Sequence, residues 1–372
     1  MNIPKSRLSA VSVVSLVSLV SVVSVATIAS LAACVPQDAE LGTVSAALGE
    51  CDESSWGCSS NSPEIDHYGF HELNVYGTGG PNSPLAGFVT VNGRAKIYKG
   101  TKVYDLVVKD SRIRGYSAGR LALYGDALVG AEMRVKIGRA ADYVIRIEGY
   151  RPLRLPYGTY ATIEAYQLSW YSSVYEPNGK RNICKAPVVV TPSPTPTPDP
   201  ELHPELLNMR SGETLVFEGD RFDSDNLTTS DAYDSSWVNF GCAGHTLAKM
   251  HLMRHTLSAN ATAHAITWQD RQATLKLLAA DYCGIGRPFT EAGVPLTWQG
   301  DVVTYRSAPM VLEARWTENG ATCLNVPRLA ASQPDILSRI ATVCGSVPPA
   351  CPNTGSFGFE GALRVSALPE PQ

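Results

Sequence analysis

The chain has 372 residues and a mass of 39.9 kDa, which is long enough for a sizeable buried core in one large domain or two ordinary ones. Hydrophobic residues make up 44% and charged residues 18%, and the mean hydropathy is -0.06. These values exclude a disordered chain and a protein with many membrane spans. The 31 basic and 35 acidic side chains leave a net charge of -4, so no nucleic-acid partner is expected.

The N-terminus has the pattern of a bacterial lipoprotein signal. Lys5 and Arg7 precede an uncharged stretch, residues 10–33, whose small residues end directly at Cys34. The pattern predicts cleavage before Cys34 and lipidation of its thiol and new amino group. The alternatives are an uncleaved anchor, since the stretch is long enough to span a bilayer, or an ordinary signal cut elsewhere.

Several acyl chains on one residue hold a protein stably at a bilayer, whereas a single chain holds it only marginally. We therefore expect the mature chain to contact the membrane through the lipid on Cys34. Val35 replaces the Asp that often retains lipoproteins at the inner membrane, so we predict a lipid-anchored protein of the cell envelope, at the outer membrane.

The other cysteines are even in number, which in an exported protein indicates disulfides. They are Cys51, Cys58, Cys184, Cys242, Cys283, Cys323, Cys344 and Cys351. Structural zinc would require short paired spacings such as C-x2-C, and the sequence has none. Cys51 and Cys58 flank a short polar loop and are predicted to close a small ring.

Composition divides the chain into successive regions. We predict a signal peptide (1–33), a polar tether (34–66), a β-rich region (67–186), a Pro-rich spacer (187–204), an α+β region (205–351) and a loose tail (352–372). The spacer alternates Pro with polar residues, which favours extended polyproline II.

Short runs rich in Val, Ile and Tyr recur between turns in the β-rich region, which predicts an antiparallel sheet or small barrel. They are Gly87–Val91, Lys102–Val108, Leu121–Tyr124, Tyr143–Ile147 and Thr159–Tyr166. Ala127–Ile137 fits either a short helix or a strand.

Helical patterns dominate the second half. Gly241–Leu257 and Trp268–Ala280 are predicted helices, and Val302–Tyr305 and Met310–Trp316 are predicted extended runs. The predicted fold class is therefore α+β, with an N-terminal antiparallel β-rich region and a disulfide-stapled C-terminal α+β region.

The string Leu278–Gly286, which contains Ala280-Asp281-Tyr282-Cys283, resembles the signature of the ADYC-domain family of exported bacterial proteins. Weaker matches support the resemblance: Trp237, Cys242, Gly244 and Ala248-Lys249, then Trp316–Ala321 with Cys323, and Asn182–Cys184, so that it covers Gly125 to Cys344. The family has no established activity, so the resemblance implies a fold and a compartment but no reaction.

Two cysteines common in the family are missing here. Met250 stands where members carry the first, and Arg271–Thr274 replaces a His-x-x-Cys that supplies the second. Their joint absence suggests that in other members they bond to each other. A catalytic role for that His and Cys would not carry over to this chain.

One alternative interpretation of Cys283 is a nucleophile, because its thiol lies near a helix end and close to a carboxylate in sequence. It follows the C-terminus of the predicted helix and lies beside Asp281, and both features disfavour a thiolate. We therefore predict a disulfide at Cys283. Asp281 is interpreted as a turn or cap carboxylate that accepts backbone N–H groups, and Tyr282 as a core residue.

Two candidate metal sites arise from spacing. His251 and His255 lie four apart on one helical face, a spacing that binds zinc, but Leu252 occupies the place of the general-base Glu. In the acidic loop from Glu218 to Trp237, Asp223 and Asp225 alternate as in calcium loops, without the Gly and Glu of an EF-hand. The plainer alternatives are structural or surface histidines and a solvated loop, and no cofactor is predicted.

The cysteine positions also predict connectivity. We expect Cys242 to bond Cys283, Cys323 to bond Cys344 or Cys351, and Cys184 to take the remaining partner. With Cys34 excluded, three cysteines precede the spacer and five follow it, so at least one bond must span the spacer if all are oxidised.

The leading functional hypothesis is a non-enzymatic binding module of the envelope, with an unknown envelope protein or glycan as partner. The alternatives are a hydrolase with a site near His251 and His255, completed by a carboxylate of the acidic loop, and a purely structural envelope protein.

Overall fold

The computed structural model describes most of the chain after residue 61. The described residues are 62–66, 68–77, 86–137, 141–154, 162–172, 179–184, 209–223, 226–260, 266–291, 294, 296–299, 310–352 and 358–369. The predicted signal peptide with Cys34, the tether up to residue 61 with Cys51 and Cys58, the spacer 187–204 and the extended run Val302–Tyr305 lie outside these ranges.

Strands account for most of the regular structure. They are β1 Glu64–Ile65, β2 Tyr68–Gly69, β3 Glu72–Asn74, β4 Ala86–Phe88, β5 Thr90–Val91, β6 Arg94–Lys99, β7 Lys102–Val108, β8 Ile113–Ser117, β9 Arg120–Leu123, β10 Glu132–Ile137, β11 Ala141–Arg154, β12 Thr162–Ser172, β13 Arg181–Asn182, β14 Glu213–Gly219, β15 Phe222–Asp223, β16 Thr228–Thr229, β17 Asp234–Cys242, β18 Thr297–Gln299, β19 Met310–Thr317, β20 Gly320–Leu324 and β21 Arg364–Pro369. The described helices are α1 Thr246–Leu252, α2 Leu257–Asn260, α3 Trp268–Ala279 and α4 Ile336–Cys344, besides a 3-10 turn at Gly125–Leu128.

Seven strands form a closed barrel. Their order is β11-β12-β14-β17-β3-β4-β10, and β10 pairs again with β11 to complete the ring. The pairs are antiparallel except β3 with β4, which are parallel. Because β14 and β17 come from the region predicted to be α+β, the predicted fold class is wrong, and the chain is mostly β.

The first helix predicted in the second half of the chain begins later than expected. The predicted helix Gly241–Leu257 begins only at Thr246, because Gly241 and Cys242 still belong to β17. The predicted helix Trp268–Ala280 is confirmed as α3, and the strand Lys102–Val108 as β7. The stretch Ala127–Ile137, which fits either a helix or a strand by pattern, begins within the 3-10 turn and then forms the strand β10 from Glu132.

The sheet of the barrel continues beyond it at β10, which pairs with β4 through Val135–Ile137 and with β6 through Glu132 and Met133. From β6 the hairpins β6–β9 extend in chain order. The β7–β8 turn reaches back to the barrel, where Asp110 and Ser111 donate their backbone N–H groups to the Glu218 carboxylate of β14 at 3.0 and 3.3 Å.

The barrel interior is apolar and includes residues from each of its strands. The aromatic residues that the barrel strands contribute are Phe88, Tyr143, Tyr166, Trp170 and Phe240, and they pack with aliphatic residues such as Leu73, Met133, Ile145, Val216 and Val238. β14 is buried along its whole length, because Val216 faces this core while Leu215 and Phe217 face a second one.

The second core lies between β12 and β14 on one side and the helices and the sheet β18-β21-β19-β20 on the other. Helix α3 packs against α1 and against β19, β20 and β21. Buried residues cover its whole circumference from Arg271 to Ala279, so α3 is a central helix and not a surface one.

Three disulfides join the six cysteines that the structure describes: Cys184–Cys242, Cys283–Cys344 and Cys323–Cys351. The predicted bond Cys242–Cys283 is wrong, because Cys242 ends β17 facing the barrel interior and does not begin a helix. Of the two partners predicted for Cys323, the structure has Cys351. The prediction that Cys184 bonds the one left over is wrong, because Cys344 bonds Cys283 and Cys184 bonds Cys242. The predicted bond across the spacer is confirmed, as Cys184–Cys242. No helix in the described residues is long and apolar enough to span a membrane.

Candidate functional site

The signature at 280–283 begins where α3 ends. The Thr267 hydroxyl caps the helix by accepting the Asp270 N–H at 3.1 Å, a position that favours Thr or Ser. At the other end Ala280 adopts a left-handed conformation, with φ 53°, and turns the chain out of the helix. The side chains of residues 281–283 therefore enter the second core directly below the helix.

The carboxylate of Asp281 is fully buried and is surrounded by hydrogen-bond donors. It accepts hydrogen bonds from the Lys276 ammonium group at 2.7 Å, from the Gly286 N–H at 2.8 Å and from the Arg287 N–H at 3.4 Å. Lys276 also donates to the backbone oxygens of Asn226 and Gly284. The prediction that this carboxylate organises a turn is confirmed, and its ion pair fixes the turn to the helix above.

Tyr282 lies at the centre of a second buried network. Its hydroxyl donates to the Glu313 carboxylate at 2.7 Å and accepts the Arg328 N–H at 3.0 Å. The Arg328 guanidinium group binds Glu313 at 2.8 and 3.1 Å and the Leu277 carbonyl oxygen at 2.8 Å. Burial and then Glu313 raise the pKa of Tyr282 well above its usual value, so the phenol stays neutral.

The aromatic ring of Tyr282 stacks on Trp316, with 5.3 Å between ring centroids, and this confirms its prediction as a core residue. Burial is the largest influence on the pKa of Arg328 and lowers it, but Glu313 and Tyr282 together outweigh burial, so the pKa is raised. The charged form is therefore stable inside the core.

The last residues of the signature fix the segment to its surroundings. Cys283 forms its bond with Cys344 at the end of α4, which confirms a disulfide there and leaves no thiol for nucleophilic chemistry. Gly284 has φ 73°, and a Cβ atom there would lie 2.0 Å from the Asn319 carbonyl oxygen. A glycine is thus required by this close approach.

The family signature of the ADYC domain matches residues 125–330, more than half of the chain. The chain belongs to the ADYC-domain family. The match extends from the 3-10 turn before β10 through helices α1 to α3 to the loop beyond β20. It contains five of the seven barrel strands, since β3 and β4 precede it. No curated protein and no solved structure matches the chain.

The other segments that resemble the ADYC family are divided between the two cores, with Cys184 and Cys242 at the barrel interior and Ala248 and Trp316 at the second core. Trp237 carries the Arg221 guanidinium group 3.6 Å from its ring centroid, and Cys242 is bonded to Cys184. Met250 and Thr274 stand at the places of the two missing family cysteines, and His255 contacts both. The backbone N–H of His255 donates to the Met250 backbone oxygen, and its ring Nδ1 forms a hydrogen bond with the Thr274 hydroxyl. That the missing cysteines bond to each other stays a prediction.

Lys249 of the ADYC domain lies on α1 and forms no ion pair with a carboxylate among the described residues. Burial first, and then the neighbouring charge of Arg328, lowers its pKa to about 8. A substantial neutral fraction of this amine is therefore present in mildly alkaline solution.

The two predicted zinc ligands are buried and each is bound to a threonine. His251 Nδ1 lies 2.7 Å from the Thr256 hydroxyl, and His255 Nδ1 lies 2.6 Å from the Thr274 hydroxyl. Burial lowers the pKa of His251 to about 3 and that of His255 well below its usual value. Within the described residues no group of three His, Cys, Asp or Glu side chains gathers as a metal site would require, so zinc at His251 and His255 stays a prediction.

The acidic loop is partly internal. Asp223 accepts the backbone and side-chain N–H groups of Asn226, and Asp225 lies outside the described residues. Asp220 is fully buried and bound to Arg271 at 2.9 Å. Burial raises the pKa of Asp220 to about 7, although Arg271 acts in the opposite direction. The sequence pattern identified this loop as acidic but did not indicate that Asp220 enters the core.

Proposed function

We propose that the chain is a lipid-anchored protein of the bacterial cell envelope and works as a non-enzymatic binding module. The observation that carries the proposal is the use of the signature itself. The functional groups of these three residues are all bound inside the fold: Asp281 to Lys276, Tyr282 to Glu313 and Cys283 to Cys344. Such residues stabilise a scaffold, and the surface of the scaffold is left for recognition.

Disulfides support the envelope as the compartment. The six described cysteines are paired in three bonds, and disulfides persist in oxidising compartments outside the cytosol. The apolar stretch before Cys34 supplies the matching export signal and the lipid anchor. Both features are parts of the proposal and are tested separately from binding.

Exposed aromatic side chains provide candidate contacts for an envelope protein or glycan. Tyr76, Tyr124 and Tyr233 are 63%, 61% and 51% exposed. Tyrosine offers a large contact area and a hydroxyl at a low cost in conformational entropy, and it is enriched at interfaces. The hydrolase alternative has less support, because His251 and His255 are almost wholly buried.

The anchor is tested with Cys34→Ser. The wild-type chain should carry acyl mass on Cys34 in its N-terminal peptide and should enter the detergent phase of a membrane extract. The variant should appear in the aqueous phase. A variant that still partitions fully with the membrane would refute the lipid anchor.

Binding is tested with purified mature protein that carries Cys34→Ser, mixed with peptidoglycan sacculi or with outer-membrane vesicles. Saturable co-sedimentation with one of them is expected, and Tyr124→Ala should weaken it. Leu337→Ala, another exposed apolar residue on α4 at 47% exposure, is the matched control and should bind as before. Absence of saturable binding to both would favour the purely structural alternative.

A further inference from the structure

Beyond the barrel, one side of the sheet combines cations with apolar side chains. Ala95, Ile97, Leu106, Val108 and Ile113 of strands β6–β8 belong to the apolar core, and successive strand residues point to opposite faces. The residues between them therefore point away from the core. They are Arg94, Lys96 and Tyr98 of β6, Val103, Asp105 and Val107 of β7, and Arg114 and Tyr116 of β8, with Glu132, Arg134 and Lys136 on the adjoining strand β10. We call this surface the outer face.

Cross-strand pairing places apolar side chains of the outer face next to one another. Tyr98 lies opposite Val103, and Tyr116 lies opposite Leu121 of β9. Val103 and Leu121 are 51% and 44% exposed, and both tyrosines are partly exposed. The spacing of strands and the rise along them put the two tyrosines roughly 12 Å apart. The outer face therefore carries an apolar strip that runs across four strands.

Ion pairs neutralise some of the charges around this strip, and others are left. The pairs are Lys96–Asp105, Arg114–Asp110 and Arg146–Glu132, and Asp142 of β11 lies opposite Lys136. Arg94 and Arg134 are exposed, and neither forms an ion pair with another residue that the structure describes. Because the whole chain has a net charge of -4, the outer face differs in sign from the average of the molecule.

Arg134 is held in place on the outer face by Tyr98. Its guanidinium carbon lies 5.0 Å from the centre of the Tyr98 ring. A guanidinium group that stacks on an aromatic ring keeps its planar donors available, and two of them match the two oxygens of a carboxylate. Because the group is already oriented, binding costs it little conformational entropy. Arg134 is therefore the best placed cation of the face for binding an anion.

The apolar strip and the cations together define the chemistry of a ligand. A sugar ring has an apolar face that can lie on Tyr116 and its neighbours Val103 and Leu121. Single, separated cations such as Arg94 and Arg134 suit carboxylates that recur along a chain. An anionic membrane suits the face less well, because Val103 and Leu121 lie within strands and offer little apolar surface for insertion.

We infer that the outer face binds an acidic polysaccharide whose sugars carry carboxylates, with Arg134 binding a carboxylate and Tyr116 contacting a sugar ring. The inference rests on the proposed function, since it names the class of glycan that the binding module recognises. Charge complementarity carries it, together with the orientation of Arg134 on Tyr98.

The test is calorimetric titration of the full chain, purified in non-ionic detergent, with sodium alginate, a polymer of uronic acids. Neutral dextran is the second titrant, and only alginate should bind saturably. Arg134→Gln should weaken alginate binding roughly 10-fold, as for the loss of a charge-assisted hydrogen bond. Arg134→Lys keeps the charge but loses the planar donors, so it should weaken binding roughly 3-fold. Tyr116→Ala should weaken it roughly 5-fold through the lost ring contact.

Arg339→Gln is the matched control, because Arg339 is an exposed arginine on α4, and its affinity for alginate should equal that of the wild type. The inference is overturned if the wild type does not bind alginate, or if Arg134→Gln or Arg134→Lys binds it as tightly as the wild type does. Binding of detergent micelles that contain phosphatidylglycerol, without binding of alginate, would assign the face to anionic lipid and would also overturn it. Binding to sacculi or outer-membrane vesicles without binding to alginate would refute this inference and leave the proposed function standing.

Discussion

The barrel interior and the second core lie on opposite faces of the same strands, yet they are stabilised by different interactions. The barrel interior is filled by aromatic and aliphatic side chains. The second core is crossed by ion pairs whose members are almost wholly buried: Asp220–Arg271, Lys276–Asp281 and Glu313–Arg328, with Asp270–Arg364 at its margin.

The difference matters because the two kinds of contact respond differently to change. An apolar core tolerates substitution in proportion to the volume that is lost. A buried ion pair adds little net stability, but removal of one partner leaves an uncompensated charge in the core. The ADYC signature belongs to the second kind, so its residues should be far less replaceable than those of the barrel.

The largest effect is expected for Glu313→Gln. This change leaves the Arg328 guanidinium group inside the core without its counter-charge, and the free energy of unfolding should fall by roughly 3–5 kcal/mol. Urea or guanidinium unfolding measures the change.

Glu132→Gln provides the matched control on the outside of the barrel, where Glu132 and Arg146 form an ion pair at 2.9 Å but are both about one-third exposed. The same chemical change there should cost less than about 1 kcal/mol. Equal losses at the two positions would contradict the distinction between the cores.

Ile145→Ala probes the barrel interior, where Ile145 is fully buried. Lost apolar contact and the resulting cavity should lower the free energy of unfolding by roughly 2–5 kcal/mol. Because no charge is uncovered, the loss should be the same at pH 5 and pH 8. A loss that varies strongly with pH would show that the barrel interior depends on ionisable groups as well.

Acid should act on the second core through its histidines. His251 stacks on Phe217 with 4.2 Å between ring centroids, and burial lowers its pKa to about 3. Below the unfolded value of about 6.5, the unfolded chain takes up a proton that the folded chain refuses, so stability is lost as the pH falls. At pH 5 this histidine alone should remove about 2 kcal/mol relative to neutral pH.

The measurement is the difference between wild type and His251→Gln across a pH series. Asp220 acts in the opposite sense, because burial raises its pKa to about 7 and its stabilising protonation is lost as the pH rises. The difference curve removes this contribution, which both proteins share. Parallel curves from pH 4 to pH 7 would refute the role assigned to His251.

The smallest effect is expected at a hairpin of the sheet beyond the barrel. Asp110 and Ser111 have φ 53° and 57°, as in the type I′ turn that Asn-Gly prefers. Asp110→Asn combined with Ser111→Gly should therefore raise the free energy of unfolding by about 1 kcal/mol. The reverse exchange at the β5–β6 turn, Asn92→Asp with Gly93→Ser, should lower it by a similar amount. If the melting temperatures of the two double variants shift in the same direction, the assignment of both turns to type I′ is contradicted.

Local patterns in the sequence were sufficient for some elements. The run Lys102–Val108, rich in Val and Tyr, predicts a strand, and the broad apolar face of Trp268–Ala280 predicts α3. Closure of the barrel could not be predicted, because it depends on pairing of β3 with β17 and of β12 with β14 across the spacer. β14 has no alternating pattern, since both of its faces are buried.

The buried charges show the same limit. The interpretation of Asp281 as a turn carboxylate is possible from the sequence, because its partners Lys276 and Gly286 are each five residues away. Asp220 and Arg271 are 51 residues apart, and Glu313 and Arg328 meet only after β19 and the loop beyond β20 pack together. A charged residue in a helical pattern predicts a solvated face, and only the tertiary structure reveals the partner that allows burial.

Closure of the barrel also sets the order of events during synthesis. Asn74, at the end of β3, contacts Ser236 in β17, and the two residues are separated by 162 positions along the chain. The first strands must therefore wait, with their edges unpaired, until more than half of the chain has been made. Pairings this distant fold slowly and expose strand edges to other chains meanwhile. The N-terminal strands thus have a long interval in which a chaperone is of most use.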